Sequence, residues 1–227
     1  MTDQLSRLTD RLGYRFADPS LLESALTHRS VSRRNNNERL EFLGDALLSQ
    51  VVSIWLYHHF PEASEGQLTR MRATLVRGQT LAEIARELEL GECLKLGSGE
   101  MKSGGSRRDS ILADTVEALL GAILLDGGEE PCRQAVLRWL GDRLQQVSPQ
   151  SAVKDAKTRL QEWLQGRSLP LPDYEVVTVH GQAPNQRFDV HCRIESIPEH
   201  FEASGSSRRK AEQKVAEKAL AWLEAQQ

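Results

Sequence analysis

The stretch Glu38-Arg39-Leu40-Glu41-Phe42-Leu43-Gly44-Asp45 decides how the larger part of this 227-residue chain is read. Its apolar residues continue at three- and four-residue intervals through Leu47, Val51 and Ile54, which predicts one long helix with that stripe toward a core. Glu38, Glu41 and Asp45 stand at i, i+3 and i+7, so on such a helix they share a face. A solvated face accounts for three acids on an ordinary helix, and the pattern gains chemical meaning only if something faces it. The same rhythm recurs at Leu81, Ile84 and Leu88, and again at Leu112, Val116, Leu119 and Ile123, while Pro61, Gly66, Gly91 and the stretch 97–105 punctuate it. Strand-like alternation is scarce before residue 146, so residues 1–146 read as an all-α domain.

The facing element is Ile111-Leu112-Ala113-Asp114-Thr115-Val116-Glu117-Ala118-Leu119-Leu120. This second helix is almost wholly apolar, which predicts burial, yet it carries Asp114 and Glu117 at i, i+3. Ionised carboxylates out of water are costly unless paired or bound to a metal. Two readings stay open at this point. Buried arginines pair with the two acids, or both helices contribute to one carboxylate cluster whose mutual repulsion a divalent cation relieves. Ligands that are all oxygen, with no His or Cys among them, favour Mg²⁺ or Mn²⁺ over Zn²⁺. Arg70, Arg72 and Arg77 are placed to pair with the acids or with phosphate, and sequence does not choose between them.

Composition bounds the partners. The net charge is −3, with 18 basic against 21 acidic residues up to residue 150 and 11 against 11 after it, so any nucleic acid must be met by local basic clusters. One such cluster is Lys102-Ser103-Gly104-Gly105-Ser106-Arg107-Arg108, read as a glycine loop that lets backbone and cations approach phosphate. Cys93, Cys132 and Cys192 are odd in number and far apart, which excludes a disulfide framework or a CxxC zinc site and fits a reducing compartment. No uninterrupted apolar run reaches the ~18 residues that cross a bilayer. The first residues show no basic segment leading into an apolar one, so the expectation is a cytoplasmic protein without a membrane partner.

Periodicity stops around Gln146-Val147-Ser148-Pro149, and residues 147–154 read as a linker. From 155 to 227 the pattern becomes α-β-β-β-α, a small α+β domain. It comprises a helix over 155–165, a strand over 174–180, an alternating strand over 187–194, a weaker third strand over 200–203, and a helix to about 225. Ser206 or Ser207 caps that last helix, and Arg208, Arg209 and Lys210 crowd its first turn, a cationic end suited to phosphates.

At these residues the chain is similar to the ribonuclease III family. Glu38 through Asp45 matches the family signature, Ile111 through Ala118 matches its second acidic helix, and the likeness runs from Leu12-Gly13-Tyr14 to the final helix. The resemblance implies an all-α nuclease domain followed by a double-stranded RNA-binding domain. It implies a metal-binding catalytic centre of Glu41, Asp45, Asp114 and Glu117, with direct ligation by Glu41, Asp114 and Glu117. Asp45 and Glu117 would matter most for chemistry. The cofactor would be Mg²⁺, with Mn²⁺ substituting and no organic cofactor. Water would attack a phosphodiester of double-stranded RNA, leaving 5′-phosphate and 3′-hydroxyl ends. Glu38 and Glu65 match further acids near the RNA, and Arg107 and Arg108 fall where the family is basic. Gln161 matches the first-helix contact to a minor groove. The family works as a homodimer on structured RNAs such as ribosomal RNA precursors and messenger RNA, and Phe42 matches a position of the subunit contact, the alternative being ordinary core. Two departures stand out: Pro184 where such domains often have His, and Lys214 where many have a small residue. A non-cutting RNA-binding protein and a phosphohydrolase of small molecules are the competing readings. Intact carboxylates argue against the first and the RNA-binding pattern against the second.

Overall fold

The computed structural model describes residues 3–149, 155–183, 185–195 and 197–226. It divides into two compact units, residues 1–152 and 153–227. Residues 150–154 of the expected linker lie outside the described residues.

The described residues of the first unit form helices α1 (Asp3–Leu12), α2 (Pro19–Ala25), α3 (Glu38–His59), α4 (Glu65–Val76), α5 (Gly78–Glu87), α6 (Ser98–Lys102), α7 (Asp109–Gly127), α8 (Glu129–Leu140) and α9 (Asp142–Gln146). The starts are chemically marked. Asp18 accepts the Ser20 N–H ahead of Pro19 in α2, and Ser64 and Gln67 form a capping box on α4. α7 is the axis of the unit, with α2, α3, α5 and α8 packed around it. Between Ile111 and Ile123 every α7 residue is buried except the half-buried Asp114 and Glu117.

α3 and α7 touch backbone to backbone. A Cβ on Gly44 would lie 1.8 Å from the Glu117 carbonyl oxygen, and one on Gly121 would lie 2.2 Å from that of Leu40. Glycine inside a helix costs about 1 kcal/mol relative to alanine, and here the close approach of two helices is what it permits.

The core stripe of α3 is Leu40, Gly44, Leu47, Leu48, Val51, Val52 and Leu56. Two residues expected in it depart: Leu43 is half-buried and Ile54 is 50% exposed. The 3.6-residue repeat carries the stripe through positions 40, 44, 47 and 51, which leaves 43 and 54 at its margin. By length and composition α3 is also apolar enough to cross a membrane, which run-length counting missed because charges interrupt its first turns. Its apolar stripe is occupied by the unit's own core.

The stretch 97–105 is more ordered than a glycine loop. It holds α6 and a 3₁₀ turn at Gly105–Arg107, joined through Gly104 at φ +80°. Arg108 closes the segment on itself with an ion pair to Glu100 at 2.6 Å and a hydrogen bond to the Ser103 hydroxyl.

The second unit comprises α10 (Ala156–Gln165), strands β1 (Asp173–His180), β2 (Arg187–Arg193) and β3 (Phe201–Gly205), and α11 (Arg208–Ala225). The sheet is antiparallel in the order β1-β2-β3, with Val190 opposite Val176 on one side and Ala203 on the other. Alternation along β2 turns Val190 and Cys192 inward, onto Leu160 and Leu164 of α10 and Val215 and Ala219 of α11. The third strand starts one residue later than the pattern suggested and runs to Gly205. Asp155 caps α10 and Ser207, not Ser206, caps α11. Lys214 is exposed, so it costs the helix no packing, and Pro184 lies outside the described residues. All three cysteines are free and buried.

Candidate metal centre

α3 and α7 position the acids. Glu41 lies on the first turn of α3, and Asp114 and Glu117 are one turn apart on α7. The glycine contact draws the helices together there. Carboxylate oxygens of Glu41, Asp114 and Glu117 all lie within 4.8 Å of one another. Among the described residues no Lys or Arg forms an ion pair with Asp114 or Glu117, which removes the reading of buried arginine partners. Arg72 donates to the Ser53 hydroxyl and Arg77 to that of Thr80, so neither serves the acids.

Burial first, and the neighbouring acids second, raise the carboxyls of Glu41 and Glu117. Burial, then the charges of Asp45, Asp114 and Glu41, push the Glu117 carboxyl up to about 8. Burial raises Glu41 as well, with Asp114 and Glu38 adding to it and Arg29 opposing. Burial raises Asp114, while His28 and Arg29 pull it back. Three oxygen donors at this spacing with no counter-cation fit a hard divalent ion such as Mg²⁺ or Mn²⁺, which would take the place of the shared protons.

The other expected residues divide. Asp45 is exposed, one turn beyond Glu41; its charge reaches Glu117 but it stands outside the group of three. Glu38 lines a cleft together with Glu41 and Asp114, which Glu117 does not line, and pairs with Arg29 at 3.3 Å. Glu65 sits on the first turn of α4, accepts the Thr69 hydroxyl, and does not line the cleft. Arg108 lines it, Arg107 instead lines a separate pocket with Arg86 and Leu112, and Lys102 is exposed at the end of α6. Phe42 is 79% exposed, so the core alternative is excluded for this chain; with Leu21, Leu43 and Leu125 it lines a pocket that Arg34, Glu38 and Arg39 also line. In the second unit Gln161, Arg208, Arg209 and Lys210 are all exposed, and Arg208 donates to Glu212 at 2.8 Å.

Sequence reasoning missed one wall of the cleft. His28, Arg29, Arg33 and Asn37 line it together with Glu41 and Asp114. The wall is fixed in place by the backbone of its first residues, where His28 N–H donates to the Lys95 carbonyl and Lys95 N–H to that of Leu26. The available signal was the polar run Arg33-Arg34-Asn35-Asn36-Asn37 directly before the acidic helix.

A family model described as Ribonuclease-III-like matches residues 18–144, and one described as a double-stranded RNA binding motif matches residues 156–223. Over 226 residues the chain is 65% identical to a Ribonuclease 3 of Alcanivorax borkumensis, covering 100% of this chain and 99% of that one. Two structures of a ribonuclease III nuclease domain from Campylobacter jejuni align at 41% identity with TM-scores of 0.61 and 0.62. They cover 63% and 65% of this chain and 99% and 100% of theirs. One of these is described as showing structural flexibility in a region involved in dimer formation.

Proposed function

Because this chain belongs to the ribonuclease III family, we propose that it is a divalent-metal-dependent endoribonuclease that cuts double-stranded RNA. The observation that carries this reading is the trio Glu41, Asp114 and Glu117, within 4.8 Å of one another, of which Glu41 and Asp114 line a cleft that His28, Arg29, Arg33 and Arg108 also line. Acids alone would repel RNA; a cationic wall beside them attracts the backbone and leaves the carboxylates to a metal.

Glu41, Asp114 and Glu117 would hold the ion, and Asp45 would orient a water from the exposed end of the row. When bound, Mg²⁺ or Mn²⁺ supplies an activated water and neutralises charge on the phosphoryl oxygens. The water oxygen bonds to phosphorus, the bond to the 3′ oxygen breaks, and that oxygen takes up a proton, leaving 5′-phosphate and 3′-hydroxyl ends. Arg29 and Arg33 steady the phosphate as its charge redistributes. The second unit grips the A-form duplex by shape through Gln161, Arg209 and Lys210. A second copy docking through Phe42 would give a homodimer with one acidic centre per strand. Processing of ribosomal RNA precursors and other structured RNAs in the cytoplasm is the corresponding role.

The test is cleavage of an end-labelled RNA hairpin with Mg²⁺ and with chelator. Products with 5′-phosphates that vanish on chelation are expected; intact hairpin in Mg²⁺ would overturn the reading.

A further inference from the structure

Lys214 lies on α11 four residues past Lys210, and both are exposed. At that spacing they are neighbours on one helix face, where like charges repel. Neither side chain forms an ion pair among the described residues. Other cations of the same unit are matched: Lys157 and Arg208 by Glu212, and Arg159 by Glu224. Lys214 also stands where many double-stranded RNA-binding domains have a small residue, so it is a feature of this chain's own sequence.

The fold brings Lys214 to a pocket. Gly205 ends β3, and a Cβ there would lie 2.5 Å from the Ala211 nitrogen. The glycine lets the first turn of α11 press against the strand end, and Lys214, one turn on, comes beside the start of β2. Gln186, Arg187, Ser204, Gly205, Ser206 and Lys214 line the pocket so formed. Arg187 is fixed there, donating to the Ser204 hydroxyl at 2.8 Å and pairing with Asp189 at 3.4 Å. Asp189 balances Arg187, so the unbalanced charge at the pocket is that of Lys214.

The lining decides the ligand. It offers an ammonium, a guanidinium, an amide and two hydroxyls, with no carboxylate among the described residues. The adjoining pocket shares Arg187 and Ser204 but carries Asp189 and Glu202, which disfavour an anion. Donors around one unbalanced cation suit an anion, and the place of the pocket says which. Gln186 and Arg187 follow directly on the turn between β1 and β2, and Ser206 adjoins the cationic start of α11. Four residues of helix rise by about 6 Å, a step comparable with that between neighbouring phosphates of one strand, so Lys210 and Lys214 can follow the same strand.

We propose that Lys214 and Arg187 seat a backbone phosphate of the bound RNA duplex, one step along the strand from the phosphate met by Lys210. This rests on the RNA-binding reading of the second unit given above. The full-length protein is titrated with an RNA duplex across a salt series, in chelator to keep the duplex uncut. Lys214→Gln keeps most of the stem and removes the charge, and Lys214→Arg keeps the charge. Arg193→Gln, exposed at the opposite end of β2, removes one charge from the same unit outside the pocket. Lys214→Gln is expected to lower the salt slope of binding by about 1. Lys214→Arg and Arg193→Gln are expected to keep the wild-type slope. Thermal unfolding of Lys214→Gln is expected to match wild type, as is its single-turnover cleavage in Mg²⁺ at saturating RNA, because the seat binds and does not react. A wild-type slope in Lys214→Gln overturns the proposal. So does an equal loss in Lys214→Gln and Arg193→Gln, which is what diffuse attraction produces, or a loss of slope that comes with a loss of thermal stability. Wild-type protein that binds no duplex would instead overturn the RNA-binding reading, so the two failures are distinguishable.

Discussion

Glu117 and Glu212 are glutamates on the inward face of a helix in their respective units, and they are treated in opposite ways. Glu212, on α11, is 8% exposed and is met by Lys157 at 2.7 Å and Arg208 at 2.8 Å. Those partners outweigh burial and hold its carboxyl below the usual range. Glu117, on α7, forms no ion pair among the described residues, and burial with the charges of Asp45, Asp114 and Glu41 pushes it up to about 8. A buried carboxylate with cations is part of a fold. One surrounded by carboxylates is what the proposed metal ion would relieve, and on that reading the contrast separates scaffold from chemistry within one chain.

The largest effect expected from breaking this contrast is on cleavage. Glu117→Gln keeps the shape but removes a metal donor, and hairpin cleavage should fall by about a thousandfold or more while RNA binding persists. Glu212→Gln should leave the cleavage step at saturating RNA unchanged. Single-turnover rates with parallel gel-shift affinities decide it, and wild-type cleavage by Glu117→Gln would remove Glu117 from the metal centre.

The next effect is on stability against pH. Between 4.5 and about 8 the folded, metal-free chain keeps a proton on Glu117 that the unfolded chain has released. That contribution is full below 4.5 and is lost as pH rises through 8. Glu212 runs the other way: its contribution is present above 4.5 and is lost as pH falls through its lower folded value. Hydrogen exchange resolved along the chain, in chelator, should show α7 loosening toward alkaline pH and α11 toward acid. Mg²⁺ should flatten the first trend and leave the second. Parallel behaviour of both helices would contradict the assignment.

The smallest effect is on salt dependence. Arg209 and Lys210 stand exposed at the start of α11, whereas Arg208 shares its charge with Glu212. Arg209→Ala and Lys210→Ala should each lower the salt slope of RNA binding by about 1, and Arg208→Ala by less, with a loss of thermal stability in exchange. Equal slopes for all three would show that the Glu212 pair opens on RNA.

Much of this was legible in sequence because it is local. The spacing of Glu38, Glu41 and Asp45, the apolar setting of Asp114 and Glu117, and the alternation of β2 each follow from the period of one element. What was not legible depends on which elements meet. Nothing local says that His28, Arg29 and Arg33 face Asp114, since that depends on the pairing of Leu26 and His28 with Lys95. Nor does local pattern separate Arg107 from Arg108; the 3₁₀ turn at Gly105–Arg107 sends one into the acidic cleft and the other to a different pocket. Gly44 and Gly121 were a readable signal left unread, because glycine within a strong helical pattern calls for a packing reason.

Those two glycines carry a consequence of their own. The spacing of the acidic cluster is set by hydrogens standing where methyl groups would otherwise be, 1.8 and 2.2 Å from opposing carbonyl oxygens. The spacing of the carboxylates and the density of the core are therefore set at the same joint. Any atom added at the joint parts the core and the carboxylates together, so the spacing of the acidic cluster and tolerance for mutation in α3 and α7 are one trait.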